Sequence, residues 1–189
     1  LSGGVPLMGI GAAMAGGNPT TGRQENDFYP TPSDVTKALL YEYDFGPKVH
    51  ECACGDGQMA RDLEEYGYEV VATDLIDRGY GSQQDFLELT EPLAPVVITN
   101  PPFSLAVDFI VHALDVLKVD TLALLLKSTF WYTKSRFSLF QRHPPVLVAP
   151  LLWRPDFMGL GRPTMECTWI IWENGYDGET LYKPLIRPQ

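Results

Sequence analysis

Cysteine is scarce in this sequence, which has only Cys52, Cys54 and Cys167 among 189 residues. Their spacing matches neither a zinc-binding nor a redox motif, so we expect reduced thiols, a cytoplasmic protein and no metal site. Long apolar runs are also missing, because no stretch approaches the ~20 residues that a membrane-spanning helix needs. We therefore expect no association with a membrane.

Basic residues are outnumbered, with 14 Lys and Arg against 24 Asp and Glu and a net charge of −10. This balance argues against a simple nucleic-acid-binding protein, for which a basic footprint is expected. The charge is unevenly distributed, however, since residues 127–162 carry six basic side chains against Asp156. A local basic face on an acidic body and a solvated surface of mixed charge are both compatible with this pattern.

The order of the patterns predicts a flexible Gly/Ala-rich arm over residues 1–24 and a single domain over residues 25–189. Within the domain, apolar runs of strand type alternate with helical patterns. We predict strands at 49–52, 69–73, 83–85, 96–99, 121–126, 146–153 and 167–173, and helices at 34–43, 59–66, 105–117 and 135–142, the first capped by Ser33. This alternation is typical of a doubly wound, mostly parallel α/β sheet of seven strands, with the last two forming an antiparallel edge hairpin.

A glycine-rich turn follows the first predicted strand. Gly55 and Gly57 would let the backbone approach a ligand closely, and Asp74, at the end of the next strand, could accept two ribose hydroxyls. Taken by itself, Gly55-x-Gly57-x-x-Ala60 also fits a dinucleotide-binding turn. Glu51 favours another ligand, because its charge would repel a pyrophosphate and attract a sulfonium or amino group.

The four residues Asn100-Pro101-Pro102-Phe103 come directly after an apolar run. Two prolines cannot continue a central strand, so Asn100 must lie at its carboxyl end, where ligands bind in open α/β sheets. The Asn100 carboxamide oxygen could accept a hydrogen bond from an exocyclic amino group, the Pro101 carbonyl is free of any ladder, and Phe103 offers a ring for stacking. The alternative is a plain turn that ends a strand.

Together these motifs resemble those of the S-adenosylmethionine-dependent methyltransferases. The resemblance implies S-adenosylmethionine as cofactor and a Rossmann-like methyltransferase sheet. Upstream, Asp27 to Pro32 is similar to a segment that closes over the methionine moiety in nucleic-acid adenine methyltransferases. The cofactor residues implied are Tyr29, Thr31, Pro32, Glu51, Ala53, Gly55, Gly57, Asp74, Leu75, Asp85, Phe86 and Asn100.

Together with Phe130, Arg136, Arg154-Pro155 and Trp169–Trp172 in the later part of the chain, the motifs also resemble those of small phage or bacterial DNA adenine-N6 methyltransferases. The resemblance implies methyl transfer to the N6 amino group of adenine in nucleic acid, with DNA favoured over RNA, in a bacterial or phage-infected host cell. Its catalytic residues would be Asn100, Pro101, Pro102 and Phe103. Three alternatives stay open: an RNA adenine methyltransferase, an inactive subunit of a methyltransferase complex, and a protein glutamine methyltransferase, a family that generally has Tyr where this chain has Phe103.

Substrate contacts are expected after the fifth predicted strand and between the last two strands. Aromatic side chains there could stack on bases and basic ones could bind phosphates, although the aromatics fit an ordinary core equally well. The substrate residues predicted are Phe103, Lys127, Phe130, Trp131, Lys134, Arg136, Arg154 and Arg162. We expect no separate target-recognition domain, because only 86 residues follow Phe103 in this sequence, and we expect that a second copy or a partner subunit could supply recognition.

Overall fold

The computed structural model describes residues 29–189. The flexible arm predicted for residues 1–24, and the residues Asp27 and Phe28 of the upstream motif, lie outside the described residues. Among the residues that are described, no helix combines the length and the apolar character needed to cross a membrane.

Eight strands form one sheet in the order β3-β2-β1-β4-β5-β7-β6-β8. Their bounds are β1 Lys48–Glu51, β2 Glu69–Asp74, β3 Ser82–Gln83, β4 Val96–Thr99, β5 Thr121–Lys127, β6 Leu147–Pro150, β7 Cys167–Glu173 and β8 Leu181–Tyr182. Strand β7 runs antiparallel to both of its neighbours, and every other neighbouring pair is parallel. The prediction of a mostly parallel, Rossmann-like sheet with an antiparallel hairpin is confirmed, with the two-residue strand β8 in addition.

Four α-helices cover the sheet: α1 Ser33–Leu40, α2 Gln58–Glu65, α3 Ala106–Val111 and α4 Phe137–Arg142. A π-helical turn, His112–Val116, continues α3. Short 3₁₀ turns occupy Phe86–Glu88, Phe103–Leu105, Ser128–Trp131 and Lys134–Arg136. The helices predicted from sequence are all present, with boundaries shifted by a few residues.

Strand β5 shows why a continuous apolar run forms a central strand. Successive side chains of a strand point to opposite faces, so Ala123 and Leu125 pack in the core layer that holds α1 and α2. Leu122, Leu124 and Leu126 pack in the layer that holds α3 and α4. All five are buried, as expected for a strand that is covered on both faces.

Two local predictions are wrong. Ser33 does not cap α1, because Pro32 occupies the capping position and the Ser33 hydroxyl donates instead to Asp62 Oδ1, 2.6 Å away. Strand β6 ends at Pro150 rather than near residue 153. Beyond Pro150, only an isolated bridge between Leu151 and Leu185 continues the pairing among the described residues.

The parallel strands align their carboxyl ends at one edge of the sheet. Strands β1, β2, β4 and β5 end there at Glu51, Asp74, Thr99 and Lys127, and β6, which lies antiparallel to β7, ends at the same edge. The loops that follow these strands therefore meet at this edge. This is where ligands bind in open α/β sheets.

We predict that Gly57→Ala destabilises the protein more than Gly46→Ala. Both glycines have positive φ, +85° and +78°, which costs an alanine roughly 1–2 kcal/mol. At Gly57 an added Cβ would also lie 2.2 Å from the Tyr80 ring, whereas no described atom lies within 4 Å of one at Gly46. Urea denaturation of both variants measures the difference, and equal losses would contradict the contact with Tyr80.

Candidate active site

A cleft with an empty volume of about 880 Å³, including its open mouth, lies at the carboxyl edge of the sheet. Ten of the residues predicted for the site line it: Tyr29, Thr31, Glu51, Ala53, Asp74, Leu75, Asp85, Phe86, Asn100 and Pro102. Pro32, Gly55, Gly57, Pro101 and Phe103 are predicted site residues that do not line this cleft.

The glycine-rich turn connects β1 to α2. Gly55 and Gly57 have φ of +57° and +85°, and the turn is closed by a 2.8 Å hydrogen bond from the Gly57 N–H to the Cys54 carbonyl. Asp74 joins the turn to the end of β2, since its Oδ2 accepts from the Gly55 N–H at 2.8 Å and its Oδ1 from the Ile76 N–H at 2.9 Å. A carboxylate oxygen can accept two hydrogen bonds, so Asp74 retains acceptor capacity for a ligand.

Glu51 is a buried carboxyl group at the end of β1, with 2% of its surface exposed. Its Oε1 accepts from the Thr99 hydroxyl at 2.5 Å and from the Ala53 N–H at 3.2 Å. Burial raises the pKa of Glu51 to about 7, although these two hydrogen bonds act in the opposite direction. Glu51 is therefore poised to change its charge near neutral pH.

The Asn100 side chain has a fixed orientation. Its Nδ2 donates to the Tyr29 carbonyl at 3.2 Å and to the Thr31 hydroxyl at 3.1 Å. A carbonyl oxygen only accepts, so this contact directs the NH₂ toward Tyr29 and leaves Oδ1 on the other side. Asn100 Oδ1 is buried and has no hydrogen-bond partner among the described residues. A buried acceptor without a partner is costly, and a donor group on a ligand would satisfy it.

Phe103 lies at the start of a 3₁₀ turn, between an aromatic ring and a cation. The Tyr29 ring stacks on it with a centroid distance of 6.3 Å and an interplanar angle of 26°. The Lys127 Nζ lies 4.9 Å from the centroid of the Phe103 ring. The Phe103 ring therefore contacts Tyr29, which also lines the cleft, and Lys127, which is the last residue of β5.

A second groove opens on the β5 side of Phe103. It brings together four of the predicted substrate residues, Phe103, Lys127, Phe130 and Arg136, and among the described residues no carboxylate lines it. Arg136 donates to the Phe130 carbonyl at 2.6 Å, and its guanidinium lies 4.2 Å from the Phe130 ring centroid. The groove is thus aromatic and positively charged.

The other four predicted substrate residues lie outside this groove. Trp131 stacks on Phe140 at 4.5 Å, against one of the core layers. Arg154 forms an ion pair with Glu166 at 2.6 Å. Lys134 and Arg162 are exposed on the surface.

The cleft also contains residues that the sequence motifs did not single out. These are Pro30, Cys52, Cys54, Asp56, Gln58, Met59, Ile76, Arg78, Leu87, Leu105 and Phe109. Gln58 and Met59 are the first two residues of α2, which follows the glycine turn. Their position next to a sequence motif could have predicted that they line the cleft. Phe109 reaches the cleft through the packing of α3, which no local pattern reveals, and Leu105 ends the 3₁₀ turn that begins at Phe103. Within residues 29–189 no group of His, Cys, Asp or Glu is arranged to hold a metal ion.

A scan against protein-family models finds no match to this chain, and a search of curated protein sequences finds none either. Solved structures do share its fold. A Listeria monocytogenes protein assigned to the class I S-adenosylmethionine-dependent methyltransferases matches with a TM-score of 0.61 and 17% identity, covering 87% of this chain and 68% of that one. The 23S rRNA methyltransferase ErmE matches with a TM-score of 0.57 and 14% identity, covering 82% of this chain and 71% of that one.

A chain of a type I R-M system matches with a TM-score of 0.59 and 16% identity, covering 89% of this chain but only 47% of its own length. These similarities establish the fold, since all three identities are low. The chain has the α/β architecture of the class I methyltransferases.

We predict that Glu51 makes the free energy of unfolding fall as the pH rises from about 4.5 to about 7. The ordinary value of a glutamate pKa is 4.5 and that of Glu51 is about 7, so the folded state binds the extra proton between these values. The stability due to this proton is complete below pH 4.5 and is lost as the pH rises through 7. The loss is roughly 3 kcal/mol, at 1.36 kcal/mol per pKa unit.

Glu51→Gln is the matched variant, because a glutamine Oε1 can still accept from Thr99 and Ala53 but does not titrate. Urea denaturation at pH 5 and pH 7.5 should show a smaller drop for Glu51→Gln than for the parent protein. Parallel curves for the two proteins would contradict the raised pKa.

Proposed function

We propose that this chain is a methyltransferase that uses S-adenosylmethionine to methylate the N6 amino group of adenine in nucleic acid, with DNA favoured over RNA. The observation that carries the proposal is the buried Asn100 Oδ1, an acceptor without a partner among the described residues, at the end of β4 beside the cleft. The class I methyltransferase fold supports the general activity.

The charges that line the cleft support S-adenosylmethionine over a dinucleotide. Four carboxyl groups line it, those of Glu51, Asp56, Asp74 and Asp85, and among the described residues Arg78 is the one cation in its lining. A pyrophosphate would be repelled by this set, whereas a ligand with a sulfonium and an amino group would be attracted. The buried rings of Phe86 and Phe109, which stack at 4.9 Å, add an apolar wall that suits a purine.

The residues divide into those that would hold the cofactor and those that would hold the target. Glu51, whose ionised form a nearby amino group would favour, and Asp74, with its remaining acceptor capacity, would bind the cofactor. When bound, S-adenosylmethionine supplies a methyl group already activated by the positive charge on sulfur. No residue of the chain is then needed to activate it.

Asn100 would act on the target amino group. An adenine amino nitrogen is a weak nucleophile because its lone pair is delocalised into the ring. Hydrogen bonds from this amino group to Asn100 Oδ1 and to the Pro101 carbonyl would draw the nitrogen toward tetrahedral geometry and free the lone pair. Rate enhancement would then come mainly from positioning and exclusion of water.

The groove beside Phe103 supports a nucleic-acid target over a protein glutamine. A glutamine side chain needs no stacking surface, whereas a base does. Lys127 and Arg136 could meet the phosphates on either side of that base. The acidic average of the protein is compatible with this role, because the groove's described lining contains two cations and no carboxylate.

The direct test offers labelled S-adenosylmethionine and four substrates side by side: duplex DNA, single-stranded DNA, structured RNA and a bacterial protein extract. We expect label in DNA and N6-methyladenine in its digest by mass spectrometry. If RNA alone is labelled, the substrate is RNA rather than DNA. Methylated glutamine without any modified base would refute it.

We predict that Asn100→Ala abolishes methyl transfer while S-adenosylmethionine still binds. The variant removes the acceptor at Oδ1 together with the two hydrogen bonds that Nδ2 donates to the segment 29–31. Thr31→Val is the matched control, because it removes only one of those bonds and leaves Oδ1 in place. Its loss of activity should be partial.

Calorimetry of cofactor binding and the rate of transfer, measured on both variants, separate the two roles of Asn100. If Asn100→Ala and Thr31→Val lose activity equally, Asn100 acts by holding the segment 29–31 rather than by accepting from the target.

A further inference from the structure

We propose that the loop between β6 and β7 carries a wedge, Leu160, that enters a nucleic-acid duplex next to the target adenine and fills the space that the extruded base leaves. This inference rests on the proposed function and extends it, because it names duplex nucleic acid as the substrate. The wedge loop is defined here as residues 151–166.

The wedge loop lies at the same edge of the sheet as the target motif. Strand β7 is antiparallel to β5 and to β6, and its first residue, Cys167, pairs with Lys127 at the end of β5. Within the loop, Phe157 is buried and packs edge to face on the Tyr29 ring at 5.9 Å. Tyr29 in turn stacks on Phe103, so a chain of two ring contacts joins the loop to the target motif.

Asp156 accepts hydrogen bonds from the backbone at the tip of the loop. Asp156 Oδ1 accepts from the Leu160 N–H at 3.1 Å, and Oδ2 accepts from the Gly161 N–H at 2.6 Å. The Asp156 carbonyl accepts from the Gly159 N–H at 3.2 Å. The two glycines on either side of Leu160 have φ of +65° and +68°, which lets the chain turn sharply at the tip.

The base of the loop is tied down as well. Arg154 and Glu166 form an ion pair across the stem, and the Leu151 N–H donates to the Cys167 carbonyl at 3.0 Å. The loop is therefore fixed at its stem, at Phe157 and at its tip. The backbone around Leu160 is prepared before any ligand arrives, so little ordering would be needed on binding.

Leu160, at the tip of the loop, has 72% of its surface exposed, compared with 66% for Leu152 and 44% for Met158 in the same loop. Arg162, two residues on, is also exposed and forms no ion pair with another described residue. An apolar side chain beside an arginine suits a duplex, because leucine can insert between base steps while arginine meets a phosphate. Apolar wedges offset the unstacking that base extrusion requires.

A wedge differs from a general contact with nucleic acid in one respect. It contributes to binding and methyl transfer only when the target base is stacked and paired. A single strand has no partner stack to hold open. The contribution of Leu160 should therefore appear on duplex DNA and vanish on single strands.

The experiment compares Leu160→Ala with Leu160→Met and Leu181→Ala. Leu160→Met keeps an apolar side chain of similar volume, and Leu181, 59% exposed on β8, controls for the loss of an exposed leucine elsewhere. Heterogeneous bacterial DNA that carries no methyl groups is offered native and heat-denatured, so no recognition sequence need be known. Methyl transfer and, independently of chemistry, anisotropy with a labelled duplex or single strand are measured.

We expect Leu160→Ala to lower the ratio of transfer on native to denatured DNA at least tenfold and to weaken duplex binding relative to single-strand binding. Leu160→Met and Leu181→Ala should keep both ratios. Unchanged ratios in Leu160→Ala, or a parent protein that binds only single strands, would overturn the wedge while leaving adenine methylation standing. A parent that methylates no nucleic acid would refute the proposed function and, with it, a wedge placed beside a target adenine.

Discussion

A buried hydrogen bond between the ends of two central strands organises the site. The Thr99 hydroxyl, at the last position of β4, donates to Glu51 Oε1 at the last position of β1. Both residues are buried, so this contact is made away from water, where it is electrostatically strong. It fixes the start of the glycine turn relative to the start of the Asn100 motif. This contact therefore joins the cofactor side of the site to the target side, in addition to the parallel pairing of β1 with β4.

The site consists of two spaces with opposite character that meet at Asn100 and Phe103. The cleft is lined by four carboxyl groups, and the groove is lined by Lys127 and Arg136. The two spaces therefore differ in charge, although the chain as a whole has a net charge of −10. Charges close to a ligand act on it far more than charges beyond a Debye length, about 8 Å at physiological ionic strength. The charges that line a site therefore affect its ligand more than the net charge of the whole chain does.

The sequence was informative wherever a signal was local. The continuous apolar run of β5, the bounds of β7 and the glycine turn all follow from neighbouring residues, and the structure has them where the pattern indicates. The sequence did not predict contacts between residues that lie far apart along the chain. Asn100 is held by Tyr29 and Thr31, about 70 positions away, and Ser33 donates to Asp62 instead of capping its own helix. Trp131 and Arg154 are residue types that could bind a base or a phosphate, but Phe140 and Glu166 already contact them. Strand β8 has only two residues and pairs at the sheet edge, so it has no periodicity to detect.

The antiparallel placement of β7 between β5 and β6 has a consequence for how this fold can diversify. Because β6 arrives at the functional edge and β7 leaves from it, the connection between them must cross that edge. Its tip takes part in no strand pairing, so added residues there would break no ladder bond, and exposed loop tips are where insertions are tolerated best. A longer segment grafted at Gly159–Gly161 would be carried over the site by a stem that is already anchored. An insertion at the tip of this hairpin could therefore change the specificity of the protein while the core of the sheet stays unchanged.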